Sequence, residues 1–313
     1  MSQRVSIIQH FTGDLTALGL NLADLHQELT ARGAGDEMIL VDDTAQPNLE
    51  AWLREHYPWV RLVQKNRQEG RSKAQLLGAQ AASGEFLLLL GPQMRVARGA
   101  LGPLIAAMSG PNVFAVAPRI VNAVDGEVEL PGALAMEQGR PVVLPSPIAT
   151  DEGHLRPIPF ASGAALFVRR EAFLARAGFE DLFPTPYWDD VDMGLTAWRQ
   201  GLRILEVPQA VVERHPIDHP EVLTPPEVDR AAIERGRLHL YWKHLDNKPD
   251  AQEHVQALWR DTVDAALHDR REELVWLAMA LEDLDEVTTS RSRVKGVQVG
   301  WKDALRASDP TRL

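Results

Sequence analysis

The feature that most constrains this chain is an alternation of two hydrophobic periods. Short apolar runs at residues 5–8, 38–41, 60–63 and 86–90 are separated by segments whose apolar residues recur at helical spacing. The clearest such segment follows Asp14: Leu15, Leu18, Leu22, Leu25 and Leu29 lie three or four residues apart, and Gly33 closes the series. A run of four or five aliphatic residues bounded by turn residues reads as a buried strand. A capped 3.6-residue period reads as an amphipathic helix. Residues 49–56 and 72–82 supply the next two helices. Strands that alternate with helices predict an α/β fold around a doubly wound, mostly parallel sheet.

Further strands are expected at 113–117, 164–168, 204–207 and 210–212, and helices at 170–177 and 190–200. Residues 122–157, rich in Pro and Gly, receive no element. After His215 the pattern becomes purely helical. Thr224-Pro225-Pro226-Glu227 forms a capping box. Apolar stripes follow through Leu238, Tyr241, Trp242 and Leu245, then Val255, Leu258, Trp259, Thr262, Val263, Ala266 and Leu267, then Leu274, Leu277, Leu281 and Leu284. The expected organisation is a domain over 1–216, a helical appendage over 217–287, and a Ser/Thr/Arg-rich candidate mobile tail over 288–313.

Composition bounds the function. The net charge of −11 disfavours nucleic acid as partner, since nothing neutralises a polyanion globally. The chain has no cysteine, which excludes disulfides and thiolate metal sites. No stretch approaches the ~20 apolar residues of a transmembrane helix, and the N-terminus lacks a signal-like apolar region. The expected setting is cytoplasmic, with peripheral contact to a membrane left open.

Chemistry-bearing residues gather at strand and loop ends. Asp42-Asp43 directly follows a strand, as turn residues or as acceptors for a nucleoside. Tyr187-Trp188-Asp189-Asp190-Val191-Asp192 sets three carboxylates within four residues. Their repulsion raises at least one pKa, which suits a general base; a solvated helix N-terminus is the plainer reading. His215, with Asp218 and His219, could ligate a metal, touch a phosphate or simply belong to a loop. Lys65, Arg67, Arg71 and Lys73 precede the 72–82 helix and form an anion site or a solvated face.

In order, these pieces resemble an inverting family 2 glycosyltransferase of the GT-A fold, over residues 5–216. The stretches "VSIIQHFTGD", "EMILVDDTAQP", "NRQEGRSKAQLLGAQAASGEFLLLL", "SGAALFVRREAFLARAGFEDLF" and "WDDVDMGLTAWRQG" are similar to that family's successive motifs. The last is especially like bacterial galactofuranosyltransferases and their rhamnosyltransferase kin. In the family, the strand equivalent to 86–90 ends in Asp-x-Asp, which holds Mg²⁺ or Mn²⁺ against the donor diphosphate. In "EFLLLLGPQMRV" that triplet is Gly91-Pro92-Gln93, so the usual ligands are missing. A neutral amide is a poor ligand for a hard cation. Arg71, Lys73, Arg95 and Arg98 are the candidate replacements for its charge, with His215 as the one tentative metal ligand.

The resemblance implies transfer of a sugar with inversion from a nucleoside diphosphate of the UDP or dTDP type. The acceptor would be a glycan or lipid-linked hydroxyl, in surface polysaccharide or glycoconjugate synthesis. Asp190 would be the base and Asp189 its neighbour. Thr12, Asp42, Asp43, Asn66, Arg71, Lys73, Gly91 and Gln93 would bind the nucleotide, and Trp188 and Asp192 the acceptor. The helical appendage would shape the acceptor side or form a homo-oligomer. The alternative is a GT-A domain that binds a nucleotide or glycan without turnover, the metal site having been lost.

Overall fold

The computed structural model describes all residues except 1–2, 45, 66–67, 111, 130, 138, 146–152, 177, 184–187, 217–229 and 310–313. In chain order the first half runs β1 (Val5–Phe11), α1 (Leu15–Arg32), β2 (Glu37–Asp42), α2 (Leu49–His56), β3 (Val60–Gln64), α3 (Arg71–Ala81), β4 (Phe86–Leu90), β5 (Met94–Val96), α4 (Leu101–Ala107) and β6 (Val113–Asn122). The short strands β7 (Val128–Glu129), β8 (Gly132–Glu137), β9 (Arg140–Pro145) and β10 (Arg156–Pro157) follow. Then come β11 (Ala165–Arg169), α5 (Arg170–Ala175), α6 (Asp189–Arg199) and β12 (Arg203–Arg214). The C-terminal helices are α7 (Arg230–His244), α8 (Lys248–Leu267), α9 (Arg271–Glu282), α10 (Leu284–Arg293) and α11 (Trp301–Ala307).

The main sheet has the order β10-β12-β6-β11-β4-β1-β2-β3. The β3, β2, β1 and β4 strands run parallel, which follows from the helical crossovers between them. β11 is antiparallel to both neighbours, β4 and β6, so it reverses the sheet direction beside β4. The apolar runs of β1 and β4 are buried on both faces, as helix-covered parallel strands must be. Asp14 caps α1 through the Ala17 N–H, and Gly33 ends it with a left-handed φ of 58°.

The structure departs from the expected elements at four places. Residues 204–207 and 210–212 lie in one strand, β12, whose register against β6 shifts between Val207 and Val211. Pro208 sits in that gap, where it has no N–H to give to a ladder. Residues 122–157 contain the β8–β9 hairpin, hidden in the sequence by its prolines and glycines. The stripe of α8 faces outward: Trp259 is 70% and Leu267 76% exposed, while Ala257, Ala265 and His254 turn inward. Residues 288–309 hold most of α10 and all of α11, whose Trp301 and Ala304 are buried. The capping box at 224–227 lies outside the described residues.

Candidate active site

The C-terminal ends of β1, β2 and β4 meet at one edge of the sheet. Phe11 is in register with Asp42, and Gln9 with Leu90. Asp42 is fully buried and accepts from the Thr44 N–H at 2.9 Å, the Thr44 hydroxyl at 2.7 Å and the Gln46 N–H at 3.2 Å. Asp43 accepts from the Glu69 N–H at 2.9 Å and the Gly70 N–H at 2.8 Å, and pairs with His10 at 3.1 Å and Lys65 at 2.9 Å. Burial alone would raise its pKa; His10, the Glu69 N–H and Lys65 overcome that and hold it at about 2. Asp43 therefore stays ionised and ties β1 to the loop leading into α3. Thr12 follows β1, half-buried. Asn66 and Arg67 lie outside the described residues.

The Gly91-Pro92-Gln93 turn leaves β4 beside β11. The Gly91 N–H donates to the Ala164 carbonyl at 2.8 Å. A residue that the motif reading passes over steadies the turn from below. Gln9 offers its side-chain N–H to the carbonyls of Gly91, Pro92 and Met94 at 3.4–3.5 Å, and Asn21 of α1 donates to the Gln9 oxygen at 2.8 Å. Asn21 is buried among the leucines of α1, and a polar residue inside such a stripe was the only sequence signal for it. On its other side the Gln93 carbonyl accepts from the His215 N–H at 2.9 Å, at the end of β12. Pro92, Gln93, Arg95 and His215 border one recess of about 180 Å³ at the N-terminus of α1.

The carboxylates of "WDDVD" open α6, but they point three ways. Asp189, fully buried, pairs with Arg71 at 3.0 Å and accepts from Ser72. Arg71 lies across Gly163, where a Cβ would come within 1.7 Å of its Nη1. Gly163 thus has no room for a side chain while Arg71 holds this position. Asp190 accepts from the Gly163 N–H at 3.3 Å and the Val191 N–H at 2.9 Å. Burial first, then the Asp189 charge, lift the Asp190 pKa from its ordinary 3.8 to about 7. Gly163 adjoins Ala164, which holds the Gly91 turn, so Asp190 and the turn are gripped by consecutive residues of one loop.

Asp192 points to the opposite side, towards α7. It pairs with Lys243 at 2.8 Å and His244 at 2.7 Å. Burial would raise its pKa, but Lys243 and His244 lower it. Trp188 is 7% exposed; its indole N–H donates to the Ile233 carbonyl at 2.9 Å, and its ring packs on Gly236. The ring is enclosed by α7 instead of facing an open cleft. Tyr187 lies outside the described residues.

The basic residues proposed to replace a cation are already engaged. Arg71 holds Asp189, Lys73 pairs with Asp181, and Arg95 and Arg98 both reach Asp24 of α1. His215 pairs with Glu213 at 3.0 Å. Among the described residues no three His, Cys, Asp or Glu side chains converge on a metal position. Asp218 and His219 lie outside the described residues. A neutral amide and one imidazole at the turn do not fit a hard divalent cation, which prefers several charged oxygens.

The strand order, with the reversed β11 beside β4, is that of a GT-A fold. Residues 21–175, just under half of the chain, match the description Glycosyl transferase family 2. Polypeptide N-acetylgalactosaminyltransferase 8 of Drosophila melanogaster is 26% identical over 191 residues, which is 55% of this chain and 31% of the relative. N-acetylgalactosaminyltransferase 6 of the same organism is 34% identical over 89 residues, 27% of this chain and 13% of the relative. The chain therefore spans about a third or less of the length of these curated relatives. Among solved structures, GalNAc-T7 with UDP, GalNAc and Mn²⁺ superposes with a TM-score of 0.61 at 17% identity, covering 79% of this chain and 49% of that one. The mannosyltransferase PcManGT of Pyrobaculum calidifontis, in complex with GDP-Man and Mn²⁺, gives 0.52 at 17% identity, covering 97% and 85%. At that identity these two show the fold alone. No helix among the described residues is long and apolar enough to cross a membrane.

Proposed function

We propose that this chain transfers a sugar from a nucleoside diphosphate to a hydroxyl acceptor, with Asp190 as general base. One observation carries the reading: a buried carboxyl with a pKa of about 7, held by the loop that also grips the turn following β4. A base poised near neutrality can take a proton from an alcohol as that oxygen attacks, and return it to solvent afterwards. Attack would come from the face opposite the nucleotide, so the anomeric configuration inverts. Arg71 and Ser72 hold the Asp189 side chain in place near Asp190, and the Asp189 charge contributes, after burial, to the raised Asp190 pKa.

The Gly91-Pro92-Gln93 turn would lie against the donor diphosphate, with the Gln93 amide as neutral donor and Arg95 and His215 along the same recess. A developing diphosphate charge needs such donors or cations. Asp42 and Asp43 are saturated by protein donors, so in this reading they shape the nucleoside pocket through Thr44, His10 and the 65–70 loop. The solved neighbours hold UDP and GDP-Man, which makes UDP- and GDP-linked sugars, with dTDP-linked ones, the first donors to try.

The test is transfer from that donor panel to glycan and lipid-linked acceptors, with and without EDTA, in wild type and Asp190→Asn. Asp190-dependent transfer that resists EDTA is expected, with turnover in the variant lower by roughly 10²-fold or more. NMR of the product's anomeric proton reports inversion. Full activity in Asp190→Asn would reassign the base. Donor binding with no transfer or hydrolysis across the panel would favour the second reading, a non-catalytic binding domain, which the missing Asp-x-Asp pair suggests.

A further inference from the structure

We propose that Trp188 and Asp192 are positioning residues: through α7 they fix the first turn of α6, and with it the direction in which Asp190 faces. The proposal rests on the transferase reading above. Both side chains turn away from Asp190. Asp192 lies two residues on, about 200° around the helix, so the two carboxylates leave α6 on opposite sides. Trp188 and Asp192 lie one turn apart and share the side that α7 covers. The Asp192 N–H donates to the Trp188 carbonyl at 2.8 Å. These two residues therefore close the first turn of α6, with Asp189 and Asp190 between them.

Three contacts with α7 hold this turn. The Trp188 indole N–H donates to the Ile233 carbonyl at 2.9 Å. Its ring lies on Gly236, where a Cβ would come within 2.8 Å of the Trp188 Cδ1. Asp192 pairs with Lys243 at 2.8 Å and His244 at 2.7 Å. Arg199, further along α6, donates to the His244 Nδ1 at 3.3 Å, which leaves the ring proton on Nε2, facing Asp192. Asp192, Lys243 and His244 are all buried. Ion pairs at that depth add little net stability, because desolvation offsets the attraction; what they define is a single geometry.

The far side of the same turn meets the candidate site. The Gly163 N–H reaches Asp190 at 3.3 Å, and Arg71 reaches Asp189 at 3.0 Å. The turn is thus gripped between α7 and the loop before β11. The Gly163 contact is long for an N–H···O bond, so small shifts of the turn decide whether it is made. Releasing the α7 grip frees the turn to move and lets water reach Asp190. Burial is the largest cause of the raised Asp190 pKa, so its titration should then fall. The charged groups acting on Asp190 are Asp189 of its own helix and Arg71 of α3, and changes at Trp188 or His244 remove neither.

Trp188→Phe and Trp198→Phe form a matched pair. Trp198 lies about three turns along the same helix. It is buried too, and its indole N–H also donates to a backbone carbonyl, that of Ile158, at 2.9 Å. Each variant loses one such bond, and the two should be destabilised alike. Carbon-13 NMR of the aspartate carboxyls reads the titration without any substrate, the Asp190 signal being the one absent in Asp190→Asn. Trp188→Phe should lower the Asp190 midpoint by about half a unit or more, roughly threefold in proton affinity. Trp198→Phe should leave it at the wild-type value. In transfer assays kcat should fall roughly tenfold in Trp188→Phe, with donor KM within about twofold of wild type. An Asp190 midpoint that stays put in Trp188→Phe, or moves equally in both variants, overturns the proposal. If Trp188→Phe fails to fold, His244→Gln and His244→Leu repeat the test at Asp192. Glutamine can donate to Asp192 and accept from Arg199 as the histidine does, so it should match wild type while leucine lowers the midpoint; equal midpoints overturn the proposal. The two readings fail separately. A Trp188-dependent midpoint without any sugar transfer keeps the positioning role and removes the transferase. Asp190-dependent transfer with one midpoint shared by both tryptophan variants does the reverse.

Discussion

Replacing Asp190 with asparagine should stabilise the protein above pH 7 and leave it almost unchanged at pH 5. Burial, and then the Asp189 charge, raise this carboxyl from 3.8 to about 7. A raised folded-state pKa means that the folded chain holds the proton more tightly than the unfolded chain does. That stabilisation is complete below about pH 4 and is lost as the pH rises through about 7. Above that, the fold carries an ionised carboxylate in a buried place. At roughly 1.4 kcal/mol for each tenfold, the span from 3.8 to about 7 amounts to about 4 kcal/mol. Asparagine has no charge to desolvate. Its oxygen can keep the Val191 N–H, but its NH₂ would then face the Gly163 N–H, donor against donor, at a cost of about 1 kcal/mol. The expected net gain is about 2–3 kcal/mol at pH 8.5. At pH 5 the wild-type carboxyl is already neutral, and the two proteins should agree within about 1 kcal/mol. Urea unfolding of both proteins at both pH values measures this directly. An equal shift at pH 5 and pH 8.5, or destabilisation at pH 8.5, would refute the claim that the fold holds this charge against its solvation.

Two neighbours should move the acid limb of the pH–rate profile in opposite directions. Asp189→Asn removes a charge that raises the Asp190 pKa and frees Arg71, so the limb should fall below about 7; an unmoved limb would separate Asp189 from the base. Gly163→Ala puts a methyl where the Arg71 guanidinium lies and pushes it off, which removes a charge that lowers the Asp190 pKa. Its limb should rise, and a downward shift would mean that Arg71 stayed in place.

Much of the fold was legible in the sequence because local patterns generate it. The leucine series of α1 has a period, a cap and a left-handed glycine stop, all local properties, and it formed where the pattern placed it. The apolar run of β4 could only be a strand buried on both faces. The outward stripe of α8 was not legible. Period says that residues share a face, but not which face the rest of the chain covers. The β8–β9 hairpin was hidden for a related reason, since its pairing joins residues whose composition reads as loop.

At the candidate site the division is sharper. The sequence alone supplied the acidic cluster at 189–192 and the Gly91-Pro92-Gln93 triplet that ends the apolar run of β4. Only the tertiary structure decided what each carboxylate does. Asp189, Asp190 and Asp192 are the same residue type, yet they meet Arg71, the Gly163 N–H and Lys243 respectively. Those partners come from α3, the loop before β11, and α7. Burial and long-range charge set a pKa, and both depend on segments far away in the chain. The same holds for Gln9 and Asn21: a polar residue in a strand or a leucine stripe signals only that a partner must exist, and folding alone brings the turn after β4 within its reach.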